Sequence, residues 1–254
     1  MPVPPTNSQR LAARDRPRPN QQQWMHQSWR DLLFLHWRVA PELIQRTLPP
    51  GLTVDTFDGA AWIGIVPFQM RNIRPVWCPP IPPFSNFLEL NVRTYVYDAH
   101  GRAGVWFYSL DANCWPAVIG ARCTYHLPYH RATMRFARDR SNGQITYTSY
   151  RRRTPASTAT AFKYTPHGPL GVAHDPGTLE FFLIERYFLF AFRKDTLYSG
   201  QVHHPPYEVC AADITSWDAN MLALDKLPVP DRPADHVAWS PGVDVRVYGL
   251  HRVG

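Results

Sequence analysis

The stretch FLELNVRTYVYD, residues 87–98, sets the reading of this chain. Its length and its Val, Thr, Tyr and Phe content fit a strand. Alternate residues of a strand face one side, so Glu89, Asn91 and Arg93 share a face and Tyr95 continues the polar set. Leu88, Leu90, Val92 and Thr94 take the other. A polar face has two readings here. It is the solvated side of an antiparallel sheet, or it lines an internal pocket, since the neighbouring segments are apolar on both sides.

Working outward, LLFLHWRV (32–39), GVWFYSLD (104–111), WPAVIGARCTYHL (115–127), RATMRFARD (131–139) and QITYTSYRRR (144–153) read as further strands. LTVDTF and AAWIGIVPFQM form a hairpin-like pair around Asp58-Gly59. PELIQRTLP (41–49) reads as a short helix started by Pro41, and WCPPIPPFSNF (77–87) as a proline-rich loop. TLEFFLIERYFLFAF (178–192) reads as one long helix capped by Thr178, apolar nearly all round and therefore buried. Arg186 within it must meet a carboxylate or reach solvent. TLYSGQVHHPPYEVCAADI adds two strands split by Pro205-Pro206. Strands dominate and helices are inserted, so the class is mostly β, with a closed or nearly closed barrel.

The chain has 254 residues, 44% of them hydrophobic and 13% aromatic, enough for one large core. Residues 24–254 are expected to form a single domain. Residues 1–23, rich in Pro, Arg, Gln and Asn, are expected to be a disordered basic tail. Four arginines against one aspartate give that tail a balance of +3 within a net charge of +7. The excess is modest and no nucleic-acid motif accompanies it, so a nucleic-acid partner is disfavoured.

No apolar h-region opens the chain and no run approaches a membrane span, so no membrane partner is read and a cytoplasmic protein is expected. Cys78, Cys114, Cys123 and Cys210 lack metal spacing and read as free buried thiols. His203 and His204 point opposite ways if extended, so no metal site is assigned, and no cofactor is implied. The GxSxG, GxGxxG and Walker patterns are all missing. Nothing in the sequence reports oligomeric state.

ARCTYHLPYHRA (121–132) adds Arg122, Tyr129 and His130 to the candidates. Pro128 marks a strand end or bulge, and bulges often re-aim side chains at sites. Core packing of Tyr129 and a surface role for His130 are the plainer alternatives, since buried polar groups usually have structural partners.

Together WRDLLFLHWRV, LPPGLTVDTFDGAAWIGIVPFQMRNIRP, FLELNVRTYV, GVWFYSLDAN, ARCTYHLPYHRA, LIERYFL and VHHPPYEV resemble the DUF2071 or YqjF-like family of bacterial proteins. That family brings no established activity. Its more distant resemblance is to the acetoacetate decarboxylase-like superfamily, which implies a β-barrel with a central pocket. True decarboxylases there form a Schiff base on a pocket lysine, whose pKa a second lysine lowers. This chain has Tyr129 and His130 where the lysine pair would stand, and neither forms an imine. Only Lys163, Lys194 and Lys226 occur in the whole sequence.

The resulting expectation is a barrel pocket for a small, carboxylate-bearing molecule, without lysine chemistry. Its candidate lining is Glu89, Arg93, Arg122, Tyr129, His130 and Arg186. The alternative is an enzyme doing Tyr/His/Glu acid–base work on a small keto or carboxylate compound. Whether the chain is an enzyme is left open by the sequence.

Overall fold

The computed structural model describes residues 3–15, 21–82, 84–173 and 175–254. In chain order the elements are α1 (Asn7–Asp15), β1 (Gln23–Val39), α2 (Pro41–Gln45), β2 (Leu52–Val54), β3 (Ala61–Pro75) and β4 (Phe87–Asp98). Then come β5 (Ala103–Ala112), α3 (Trp115–Thr124), β6 (Tyr129–Arg138), β7 (Ile145–Arg151) and β8 (Thr160–Val172). The last are α4 (Leu179–Ile184), β9 (Phe188–Arg193), β10 (Thr196–His203), β11 (Glu208–Ser216) and β12 (His236–Arg252).

The twelve strands of the described residues join one sheet, and its pairings close on themselves. The ring β12–β1–β3–β4–β5–β9–β10 returns to β12. The class is mostly β, and the closed ring leaves few edges to protect. Strands β6, β7, β8 and β11 bridge β5 to β12 along the outside of that ring.

This double wrapping explains a pattern the sequence shows only dimly. Strands β1, β3 and β4 are buried on both faces. Leu32, Phe34, Val66 and Phe68 face the inner core, whereas Leu33, Leu35, Ile63 and Ile65 face a second core under β6–β8. On β4, Leu90 and Val92 belong to that second core. The polar residues 89, 91 and 93 therefore point into the ring.

Three segments differ from the sequence reading. Residues 115–124 are helix α3, not strand. The reason is topological: β5 and β6 pair in parallel, so the chain must cross over between them. Pro116 stands at the helix start, where its missing N–H is harmless. Residues 178–192 are not one helix. Thr178 does cap α4, its Oγ1 accepting from the Phe181 N–H at 3.3 Å, but α4 ends at Ile184. Phe188–Arg193 then pairs with both β10 and β5. A continuous apolar run does not separate a buried helix from a buried strand. The tail departs too: Asn7–Asp15 is helical, held by ion pairing rather than apolar burial. Arg10 donates both Nη groups to Asp55, at 2.7 and 2.8 Å. Residues 1–2 and 16–20 of that tail lie outside the described residues.

Smaller differences follow the same logic. The Asp58-Gly59 turn forms, with positive φ at both residues, but β2 pairs with β4 rather than β3. The four cysteines are free; Cys114 is buried and Cys123 exposed. No helix of the described residues is long and apolar enough to cross a membrane.

Candidate functional site

A cavity of about 310 Å³ lies inside the ring. Most of its lining is apolar, contributed by inward residues of β1, β3, β5 and β12 and by Ala117 and Ala121 of α3. The polar exceptions concentrate on β4, where Glu89, Asn91 and Arg93 occupy successive inward positions. At about 3.4 Å per residue they form a stripe about 14 Å long.

Glu89 is 2% exposed and accepts a hydrogen bond from Tyr129 Oη to Oε2 at 2.8 Å. Burial pushes its carboxyl up from 4.5 to about 8, the tyrosine hydrogen bond opposing only in part. The residue is therefore mostly neutral at pH 7 and carries a proton it can donate. Burial, reinforced by Glu89, drives the Tyr129 hydroxyl well above its ordinary value. Asn91 Oδ1 is buried with no hydrogen-bond partner among the described residues.

Arg93 is half-buried and has no carboxylate partner among the described residues. It donates Nε to Tyr95 Oη at 3.2 Å and Nη2 to the Leu183 carbonyl at 3.1 Å. Its guanidinium lies 5.6 Å from the ring centroids of both Phe34 and Tyr95. Arg186 also lines the cavity. It donates Nε to the Phe182 carbonyl and Nη1 to Asp55 Oδ2, each at 2.7 Å. Asp55 therefore serves two arginines, Arg10 and Arg186, and balances only one of them. Burial lowers Arg186 to about 10, against the pull of Asp55. Its Nη2 is buried without a hydrogen-bond partner among the described residues. Both guanidiniums sit over Tyr95, which brings two partly uncompensated positive charges to one end of the cavity.

Of the six residues expected to line the pocket, Glu89, Arg93, Tyr129 and Arg186 do so. Arg122 is exposed on the last turn of α3 and donates Nε to the Tyr129 carbonyl at 2.6 Å, fastening helix to strand. His130 is half-buried, opposite Asp111, and is lowered to about 4 by burial and by Arg151 and Arg122. Neither Arg122 nor His130 lines the cavity. The alternation that grouped Arg122 with the site rested on reading α3 as a strand. None of the three lysines lines it either, and all three are exposed.

Sequence reasoning missed Asp55 and Arg10, which lie far apart in the chain and carry no motif. It also missed a second buried cluster, in which Arg151 donates Nε to Asp111 Oδ1 at 2.7 Å and lies 3.5 Å from Asp225 Oδ1. No group of three or more His, Cys, Asp or Glu among the described residues has the geometry to hold a metal.

Residues 26–244 match the family described as DUF2071, an uncharacterized conserved protein. The chain belongs to the DUF2071 family. One relative, the uncharacterized protein YqjF of Bacillus subtilis strain 168, is 38% identical over 184 residues, covering 72% of this chain and 74% of the relative. Solved structures extend the likeness at the level of the fold. An acetoacetate decarboxylase from Legionella pneumophila superposes with a TM-score of 0.64 at 14% identity, over 94% of this chain and 92% of its own. The enduracididine biosynthesis enzyme MppR complexed with pyruvate gives 0.61 at 14% identity, over 94% and 93%. This DUF2071 chain therefore has the acetoacetate decarboxylase-like fold, with a tyrosine–glutamate pair and arginines facing its cavity.

Proposed function

We propose that this chain binds a small, largely apolar molecule with a carboxylate head in the barrel cavity, and that it does so without lysine imine chemistry. The observation that carries the reading is Arg93, a cavity-lining cation with no carboxylate partner among the described residues. The neutral Glu89 does not cancel that charge and can donate a hydrogen bond beside it. The apolar lining suits the rest of the molecule. MppR, which shares the fold, is complexed with pyruvate, itself a small carboxylate. The exposed positions of Lys163, Lys194 and Lys226 support the exclusion of an imine.

The test compares octanoate with octanol by calorimetry. Octanoate binds more tightly, and Arg93→Gln weakens octanoate alone, by about tenfold or more. Equal binding of both probes, unaffected by Arg93→Gln, refutes the carboxylate reading. Borohydride treatment with pyruvate or acetoacetate leaves the chain mass unchanged; a stable adduct on any of the three lysines refutes the exclusion of imine chemistry.

One observation favours a second reading, acid–base catalysis on a keto or carboxylate compound. Glu89, held protonated near neutrality and bonded to Tyr129, is a proton donor facing a largely apolar cavity. Exchange of pyruvate methyl protons with deuterated water, with Glu89 donating to the carbonyl oxygen while solvent takes the methyl proton, would establish it if it is lost in Glu89→Gln. No exchange above the uncatalysed rate would leave binding as the whole function.

A further inference from the structure

The outer wall of the barrel carries a row of basic side chains that runs across four strands. On β1, His26 lies opposite Arg246 of β12 and opposite Arg74 of β3. Arg246 in turn lies opposite His203 of β10. At about 4.8 Å between strands, Arg74, His26, Arg246 and His203 form a line about 14 Å long. They line a surface groove of about 690 Å³ bounded by Pro80 and Pro205. Its one lining carboxylate among the described residues, Asp244, is paired with Arg30. Neither Arg74 nor Arg246 has a carboxylate partner among the described residues. Arg74 and Arg246 flank His26 two strand spacings apart, about 10 Å, so two unpaired cations face the same groove. Burial, then Arg74 and Arg246, lowers His26; burial, then Arg246, lowers His203.

The same edge carries an apolar patch. Pro80 belongs to the proline-rich loop that leaves β3 one residue after Arg74. On that loop Val76, Trp77, Ile81 and Phe84 are exposed, Trp77 by 73%. The Val76 N–H donates to the carbonyl of Trp24, whose ring is also exposed. These five make up nearly half of the eleven large apolar side chains exposed among the described residues. Concentrated exposure of this kind marks a contact surface.

We propose that this edge docks on an anionic lipid surface. Trp24, Trp77, Ile81 and Phe84 enter the headgroup layer while Arg74 and Arg246 meet lipid phosphates. Tryptophan and basic residues side by side are the combination that interfacial binding uses. A second copy of the chain fits worse, because a net charge of +7 brings like charge to the row. A soluble phosphate would fill the groove but leave the apolar loop unexplained. The contact is peripheral and needs no membrane-spanning helix. It is independent of what the cavity holds.

Co-sedimentation of the full chain with phosphatidylcholine vesicles, with and without phosphatidylserine, tests the proposal. The chain pellets with the anionic vesicles and much less with the neutral ones, and added salt releases it. Arg74→Gln and Arg246→Gln each weaken partitioning about fivefold. Trp77→Ser weakens it too. Arg140→Gln, on the remote β6–β7 turn, has the same loss of charge and changes partitioning little. All four positions are on the surface, and matching thermal melts confirm the fold. Wild-type dependence on phosphatidylserine and salt reads the same contact with no substitution at all. No pelleting with anionic vesicles overturns the proposal. So does an Arg140→Gln loss equal to that of Arg246→Gln, which would mean net charge alone. Pyrophosphate binding by calorimetry without vesicle binding assigns the row to a soluble ligand instead. A dimer abolished by Trp77→Ser, again without vesicle binding, assigns the patch to a second copy.

Discussion

Replacing Glu89 with Gln should stabilise the protein progressively, relative to wild type, as pH rises through neutrality, although it changes a buried residue at the centre of the cavity. Burial raises the folded-state carboxyl from 4.5 to about 8. Between those values the unfolded chain releases the proton and the folded chain keeps it. The folded state then binds more protons, so wild-type stability falls as pH rises through this window. The loss is about 1.4 kcal/mol per pH unit, reaching about 3 kcal/mol at pH 7 and about 5 kcal/mol above pH 8. The side-chain amide of the Glu89→Gln variant never ionises, and its carbonyl still accepts from Tyr129. The extra amide N–H groups add an offset that does not depend on pH. Asp111, raised to about 6, adds the same slope to both proteins and cancels in the difference. Urea unfolding of both proteins from about pH 5 to about pH 9 measures that difference directly. It should widen toward the stabilising side by about 4 kcal/mol over the range. A difference that stays constant across pH would show that Glu89 ionises normally, and the proton-donor role would fall with it.

Phe182 is 3% exposed, with ring contacts at 5.5 Å to both Phe57 and Tyr95 and the Arg186 guanidinium 4.3 Å away. Phe182→Ala should cost about 3–5 kcal/mol, and a melt within a degree of wild type would contradict its core role. Asp55→Asn removes the one carboxylate between Arg10 and Arg186 and should cost about 3–5 kcal/mol. Arg10→Ala should cost less in urea unfolding yet expose residues 7–15 to limited proteolysis; the reverse order would refute this account of α1. Gly242 has φ +124°, and a Cβ there would lie 2.0 Å from the Trp29 carbonyl oxygen. Gly242→Ala should cost about 3 kcal/mol or more by thermal melt.

The parts of the fold that were legible in the sequence are those in which one local signal decides. FLELNVRTYVYD marks β4 and groups Glu89, Asn91 and Arg93 on one face because period-2 alternation survives where polar and apolar residues alternate. That this face is the inward one is decided by the second core packed against Leu90 and Val92. Pro205-Pro206 split β10 from β11 because proline donates no ladder hydrogen bond. The misread segments are those decided by distant partners. Phe188–Arg193 is a strand because β5 and β10 flank it. Residues 115–124 are a helix because β5 and β6 run parallel. Helix α1 forms on Asp55, forty-five residues from Arg10. The site follows the same rule. Glu89 and Arg93 came from strand alternation and Tyr129 from the break at Pro128, whereas the shared role of Asp55 and the outward position of Arg122 depend on contacts no local pattern records.

The polar stripe on β4 is the strongest argument that the cavity has a purpose. Buried polar groups in a settled core are satisfied, and an apolar residue of similar volume would often be more stable in their place. Here three successive inward positions depart from that in three ways. Glu89 is held in its neutral form, Asn91 keeps an unpartnered Oδ1, and Arg93 has no carboxylate partner among the described residues. One such position is an ordinary irregularity of a large core. Three in line, facing apolar walls across about 310 Å³, make a linear array of a donor, an acceptor and a cation. A bound molecule with a carboxylate at the Arg93 end would satisfy them together. If the stripe were only scaffold, combining Glu89→Gln, Asn91→Leu and Arg93→Met would raise stability and leave octanoate binding unchanged. If it is a site, the same triple variant gains stability and loses the ligand. That trade between stability and binding is what separates a built pocket from an irregular core.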